Sequence, residues 1–477
     1  MADQYSISTG VTLDGANGSA SSINDSRRIY NFGERVAELA PQQSPFLAYL
    51  NKIGKKPTDD PVFKFLEQRH QYQRRNFQIA AAKDVTNYGS GAWAVTDLRL
   101  EVLYDQFGRE VTTAVRPEFM IVGQIIAVKG EWDEDGSDGS DKPVIAYYRI
   151  TAVDNANSAY SAVSATFLKA ILIPTRTGDG QDAATKGDIG TPGSDDHLRL
   201  DAGFKGQVVG SAYAEGHDGN SLEGWRDEFF SREGYTQIFK TLVPLFSGTA
   251  LATRYRGVAN EYQRVYQEKL MEHKMDLEHA FLFGVGTDDS TASGPLRRTH
   301  GIVPYTEQYG KVKTFAYSST NYDHFVDSME DVFSPESGNS GEKLVLCSRK
   351  VMSFFNKLGG SSFLGNTMAL NSQVGSGFDL QNIQNDFGIN VTRISTIYGG
   401  LNLVMEPLFR NQHENTAIMI DLANVAYRPL EGNGVSRDTQ IITNVQTNGV
   451  DGRKDMILTE AGLEVSLPET HTVLQFS

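Results

Sequence analysis

Between Thr249 and Phe283 the chain carries an apolar stripe that constrains the fold more than any other feature. Tyr255, Ala259, Tyr262, Tyr266, Leu270, His273, Leu277 and Phe281 recur at helical spacing. Arg264, Gln267, Glu268, Met271, Lys274 and Glu278 fall opposite them as a mainly polar face. Gly284 and Gly286 supply a stop. A helix of about 33 residues would be about 50 Å long at 1.5 Å per residue. That is two to three times the usual globular length of about 11–12 residues, so this element reads as a spine.

The chain has 477 residues, too many for one ordinary core, and two to four lobes are expected. With 39% hydrophobic and 22% charged residues the composition is globular, not disordered. The 46 glycines imply many turns and long loops. A net charge of -15 argues against a sequence-specific nucleic-acid reader, which needs clustered Lys and Arg. Cys347 is the only cysteine, which rules out an intrachain disulfide and a thiolate zinc site, and points to a reducing cytoplasm. The start, Met1-Ala2-Asp3-Gln4-Tyr5, lacks the basic and apolar regions of a signal peptide. No stretch approaches the roughly 18 apolar residues of a membrane span.

Residues 6–26 are mostly Ser, Thr, Gly, Asn and Asp and read as an arm. A short helix is expected over Asn31–Ala40, stopped by Pro41, and Ser44-Pro45-Phe46-Leu47-Ala48-Tyr49-Leu50 is an apolar cluster that needs a partner surface. Val62 to about Ala82 is extended and polar, with Arg69, Arg74 and Arg75 close together. These arginines suit either a solvated strand or an arm that meets acidic groups on another subunit. Residues 90–215 form a loop-rich β-region. Strands are expected at Phe119–Val122, Gln124–Val128, Val144–Val153 and Ala159–Ile173, with an acidic turn at Asp133–Gly139 and a loop over Thr175–Asp196. After the spine the pattern alternates. Thr320 is the expected cap of a helix over Tyr322–Phe333, Lys343–Cys347 is a buried strand, and Ser348 caps a helix over Arg349–Leu358 ended by Gly359. Further strands are expected at Phe387–Tyr398, Leu401–Met405, Ala417–Ile420 and Leu463–Leu467.

Signatures of chemistry are missing. The chain has no G-x-x-x-x-G-K-[ST], no G-x-S-x-G and no H-E-x-x-H. His273 and His279 stand six apart on a helix and do not share the face a metal would require, so packing or surface roles are expected. Asp133-x-Asp135-x-Ser137 starts like a calcium loop, but Asp138 stands where the glycine belongs and Val144 where the bidentate Glu belongs. Cys347 reads as a buried structural thiol. Glu268, Glu272, Asp276 and Glu278 read as a solvated or salt-bridged helix face. No catalytic, cofactor-binding or metal residue is assigned, and no enzymatic activity is expected.

Several stretches, taken in order, resemble the major capsid proteins of tailed bacteriophages with the Hong Kong 97-like fold. They are Gly234–Phe239, Phe246–Ala250, Lys269–Glu272 and Leu277–Gly284, then Tyr398–Val404, Ile418–Asp421, Tyr427–Leu430 and Leu458–Val465. The resemblance covers roughly residues 30–90 and 205–477. It implies an α+β fold with an N-terminal arm (1–58) and an extended loop (59–220) carrying a small inserted β-domain (about 90–205). It further implies a peripheral domain (221–317 and 406–477, spine about 249–283) and an axial domain (318–405). Function is then geometric: copies form hexamers and pentamers of an icosahedral head shell enclosing double-stranded DNA without sequence-specific binding. The acidic balance is compatible with a container. Implied partners are a scaffolding protein, a portal vertex and a decoration protein, with no membrane. The implied location is the virion, after assembly in the host bacterial cytoplasm. Arg69, Arg74 and Arg75, with Phe46, Leu47, Tyr49 and Leu50, are the expected inter-subunit contacts. An encapsulin-like compartment and an enzyme with a dispersed active site are the alternative readings.

Overall fold

A computed structural model describes residues 44–69, 75–86, 95–104, 110–133, 142–172, 197–217, 224, 226, 228–255, 260–289, 294–333, 341–367, 380–386 and 389–477. The architecture is mixed α/β with more strand than helix. The described helices are α1 (Pro45–Ile53), α2 (Gly248–Ala252), α3 (Glu261–Phe283), α4 (Ile302–Tyr309), α5 (Tyr322–Val332) and α6 (Arg349–Thr367). The expected helix at Asn31–Ala40, the acidic turn beyond Asp133 and the loop at Thr175–Asp196 lie outside the described residues.

One lobe is organised by a seven-stranded mixed sheet. Its order is Lys311–Phe315, Thr472–Phe476, Thr416–Ile420, Glu342–Cys347, Gly400–Met405, Ile389–Ser395 and Leu380–Asp386. Strand Glu342–Cys347 pairs parallel with Gly400–Met405 and antiparallel with Thr416–Ile420, so it is central. Both of its faces are covered, which explains its nearly continuous apolar run. Leu344 and Leu346 enter one core with α1, α3 and α4 residues such as Phe46, Phe281 and Ile302. Val345 and Cys347 enter another with Phe325 and Met329 of α5 and Phe355 of α6. In that second core the Phe315 and Phe476 rings sit 5.6 Å apart, and Phe325 meets Phe355 edge-on at 5.4 Å. Helix α5 starts after Asn321, not Thr320, and no side chain caps it. Helix α6 runs to Thr367, past the expected stop at Gly359. Ser348 Oγ accepts the Val351 N–H at its start, as expected of a cap. A helical glycine costs only about 1 kcal/mol and does not force an end.

Helix α3 packs on a second sheet formed by Gln237–Leu242, Met456–Val465, Val425–Pro429 and Gln440–Ile442. The expected single helix from Thr249 to Phe283 is instead two. The Asn260 side chain accepts the Gln263 N–H at 3.3 Å, and its extended backbone fixes the start of α3 there. Thr253, which closes α2, is extended too. The 23 residues of α3 still make it the longest described helix. His273, Leu277 and Phe281 are buried as the stripe requires, but Glu278, expected on the solvated face, is buried as well. On strand Met456–Val465 Glu464 is buried too, held by Arg428 at 2.5 Å.

The third body is all strand. Lys205–Ser211, Asn76–Ile79, Val95–Tyr104, Ser161–Leu172, Lys142–Asp154 and Gln124–Asp133 pair antiparallel in that order. Gln124–Asp133 then pairs back onto Lys205–Ser211, so the six strands close on themselves as a small barrel. Its interior is a core of its own, with Leu98, Leu100, Ile126, Val128, Tyr148, Ile150 and Leu198. Phe119–Val122 is not a strand. It is the turn into the barrel strand Gln124–Asp133, with Gly123 at φ +90 and Phe119 and Met120 buried. The chain leaves for the barrel along Val62–Glu67 and comes back along Phe230–Tyr235, and these two strands are antiparallel partners.

Candidate functional site

Two buried carboxyl groups, Glu278 and Glu406, stand where α1 meets α3. Helix α1 begins with Pro45, which has no N–H, and Ser44 provides no side-chain cap. Its next two amides are satisfied from α3: Glu278 Oε1 accepts the Phe46 N–H at 2.6 Å and the Leu47 N–H at 3.3 Å. Phe46, Leu47, Tyr49 and Leu50 then bury against Phe281, Leu282 and Tyr427 in the chain's own core. Full burial of a side chain such as Phe46 contributes about 1.5–3 kcal/mol. The partner surface that this apolar cluster needs is therefore intramolecular.

Glu278 and Glu406 are each 1% exposed and act on one another. Glu406 Oε1 accepts the Leu408 N–H at 3.2 Å, and both carboxyls keep a buried Oε2 with no partner among the described residues. Burial raises the proton affinity of Glu278, and the neighbouring Glu406 raises it further. Burial raises that of Glu406 too. The amide hydrogen bonds to Glu278 pull the other way but do not outweigh burial.

A second polar knot holds the root of the two-stranded excursion. Arg69 donates from Nε to Glu469 Oε1 and from Nη2 to Glu67 Oε2, each at 2.7 Å. Glu67 Oε1 accepts the N–H of Leu467, whose backbone is left-handed at φ 47. The guanidinium of Arg232 lies 4.2 Å from the Tyr309 ring centroid and 3.5 Å from Glu67 Oε2. Arg69 is thus engaged within the chain. Arg75 accepts the Val208 N–H on its carbonyl at 3.0 Å, where the barrel begins. Arg74 lies outside the described residues.

A third buried group is His273, whose ring nitrogens each stand 2.8 Å from a threonine hydroxyl, Thr241 and Thr459. His279 is exposed. Cys347 is fully buried, and its thiol is pushed up to about 12 by that burial. Among the described residues no group of three or more His, Cys, Asp or Glu is placed to hold a metal ion. No described helix is long and apolar enough to cross a membrane. What these groups do is fasten elements together. Glu67, Glu406 and Glu469 were not singled out from sequence, where an isolated Glu beside an apolar run carries no periodic signal.

Outside the cores the second sheet exposes an apolar row. Leu242 and Ile442 flank Met456 in register, and both are exposed. Ile238 on the same strand face is half exposed, and Leu245, Val445 and Val450 continue the exposed surface beyond the strand ends. An open groove of about 510 Å³ lies on the other side, between Gln237–Thr241 and Asp276–Gly284 of α3 and its cap.

Comparison with known families gives one match that spans the chain. The model of the SU10 major capsid protein matches residues 9–476. The chain belongs to the SU10 major capsid protein family. As a major capsid protein it is a shell-forming structural component of the virion, built by association of copies, and its family has a structural role, not an enzymatic one. Among curated proteins none matches. Similar solved structures include a protein of Mycobacterium phage Patience, at 13% identity over 57% of this chain and 78% of that one, with a TM-score of 0.37. Another is the capsid of Myoviridae phage XM1, at 10% identity over 56% and 81%, with a TM-score of 0.35. The holo-SrpI encapsulin complex of Synechococcus elongatus is also similar, at 10% over 52% and 77%, with a TM-score of 0.33. Likenesses this distant decide nothing between a phage shell and an encapsulin. The family match does.

Proposed function

We propose that this major capsid protein forms the icosahedral head shell of a tailed phage, packing hexamers and pentamers around double-stranded DNA. The subunit is read as Hong Kong 97-like: an arm (1–58), an extended loop (59–220) carrying the barrel as an inserted β-domain, a peripheral domain (221–317 and 406–477) and an axial domain (318–405). The observation that supports this most is the excursion of the chain. It runs out along Val62–Glu67, builds a barrel with its own core, and returns along Phe230–Tyr235 beside the outgoing strand. A reach of that kind gives a subunit contacts beyond its compact body, as a closed ring of heterologous interfaces requires.

The net charge of -15 suits a container that holds DNA without gripping its sequence. Assembly takes place in the host cytoplasm with a scaffolding protein, a portal vertex and a decoration protein as partners. Arg74 and Arg75 on the loop are the proposed charged contacts to neighbouring copies. Electron microscopy of the purified chain, alone and with the candidate scaffold, tests the reading. Closed shells or hexamer and pentamer rings are expected. A chain that stays monomeric with the scaffold present overturns it.

A further inference from the structure

Helix α1 is fastened by Glu278, whose carboxyl is buried together with that of Glu406. We propose that Glu278 and Glu406 share one proton, and that loss of this proton releases the N-terminal end of α1 from α3. The inference concerns the single chain and does not rest on the shell reading.

The geometry carries it. Glu278 Oε1 is the acceptor for the Phe46 and Leu47 amides, so the contact between α1 and α3 depends on this carboxyl staying in place. Glu406 follows strand Gly400–Met405 and is turned to the same spot, its own Oε1 held by the Leu408 N–H. Each carboxyl buries an Oε2 without a partner among the described residues. A single proton between the two groups gives one a donor and the other an acceptor, and leaves one negative charge facing the amides at the start of α1.

Among the described residues no cation is placed to compensate the pair. Helix α1 carries Lys52 in its last turn, at the end away from Glu278. On α3, Lys274 and His279 are exposed. Arg428 of Val425–Pro429 is paired with Glu464 of Met456–Val465, and the Tyr427 hydroxyl donates to Asp438. Glu307 of α4 accepts from Gln475. Lys343 donates to the Thr470 carbonyl. Beyond Glu406, Arg410 is exposed and His413 stacks on Phe283. The charge that acts on Glu278 is that of Glu406. With the proton gone, two buried negative charges face each other, and hydration of the pair requires α1 to lift. The sign follows: folded-state affinity for this proton lies above the ordinary carboxyl value, so docking is complete in mild acid and is lost as pH rises.

Hydrogen–deuterium exchange of the full-length protein tests this, read at the Phe46 and Leu47 amides and corrected for intrinsic rate. Between about pH 6 and about pH 10, wild-type exchange at these amides should rise about tenfold or more while the seven-stranded sheet stays protected. Glu278→Gln keeps the acceptor and supplies a permanent N–H toward Glu406, so its exchange should stay flat. A flat wild-type profile, or the same rise in Glu278→Gln, overturns the proposal. Should the variant not fold, infrared spectroscopy of the wild type decides. A protonated-carboxyl band at neutral pH that vanishes over the same range supports the shared proton, and absence of that band overturns it.

Discussion

Arg69 stands 400 residues from Glu469, yet its Nε donates to Glu469 Oε1 at 2.7 Å. The same guanidinium holds Glu67, whose other oxygen takes the Leu467 amide. One side chain thus joins the outgoing strand of the excursion to the last turn before the C-terminal strand. Both carboxylates are buried, so removing the arginine leaves them short of a donor in a poor dielectric. Arg69→Met is expected to cost about 2–4 kcal/mol, seen as a lower denaturation midpoint with an unchanged m-value. Adding Glu469→Gln should recover part of the loss. A midpoint equal to wild type would show that the knot is not needed for folding.

The sequence made the parts of this fold that repeat with a period easy to read. Leu277 and Phe281 announce a helix, and Lys343–Cys347 announces a buried strand, because burial imposes regular spacing. The start of α3 was not legible, since Asn260 interrupts a stripe that looks continuous in composition. The barrel was seen only as strand-rich sequence. Its closure depends on Gly206–Ser211 meeting Gln124–Val128, a pairing between segments about 80 residues apart that no local pattern encodes. Glu278 illustrates the limit at the candidate site. By spacing it belongs on the wet face, and only the arrival of α1, more than 200 residues earlier in the chain, makes it a buried cap.

Gly462 shows how one missing side chain permits a crossing. A Cβ there would lie 2.5 Å from the Tyr235 carbonyl oxygen and 2.8 Å from Phe63 Cε1. The first neighbour is backbone and cannot swing away. The second is a ring already sitting under the Arg428 guanidinium at 5.5 Å. Gly462→Ala should therefore push the returning strand off the sheet and destabilise the chain by about 1–3 kcal/mol. Thermal unfolding would register it. A variant as stable as wild type would mean that the two strands part without cost.

Acid should weaken the fold through histidines buried in the neutral form. Burial lowers the affinity of His273 and His300 for a proton, and it lowers that of His471 to about 3, with help from the nearby Lys343. A depressed folded-state value means that the unfolded chain binds more protons. The stability is therefore whole above the ordinary value of 6.5 and declines as pH falls below it. Each such group contributes at most about 1.4 kcal/mol per pH unit. Between about pH 6.5 and pH 5 most unfolded carboxylates are still ionised, which leaves histidines as the main cause in that window. His471→Asn keeps an acceptor for the Asp421 amide, which His471 Nδ1 now takes at 3.1 Å. Its melting temperature should fall less over that window than that of the wild type. Equal slopes would assign the acid loss to other groups.

The exposed row on the second sheet bears on assembly. Leu242 and Ile442 sit on either side of Met456 on a face that the chain's own core does not cover. A contiguous exposed apolar row of this kind is the surface that neighbouring copies of a major capsid protein would be expected to cover. A double change, Leu242→Glu with Ile442→Glu, places two like charges on this face on either side of the strand that carries Met456. Inside the subunit both side chains point to solvent, so folding should change by less than about 0.5 kcal/mol per site. At an interface each carboxylate would have to be buried without a partner, which costs several kcal/mol and repeats at every copy. The expected outcome is a folded protein with wild-type circular dichroism that sediments as small species where the wild type forms particles. Particles of normal size and yield from the double variant would remove this row from the shell's contacts.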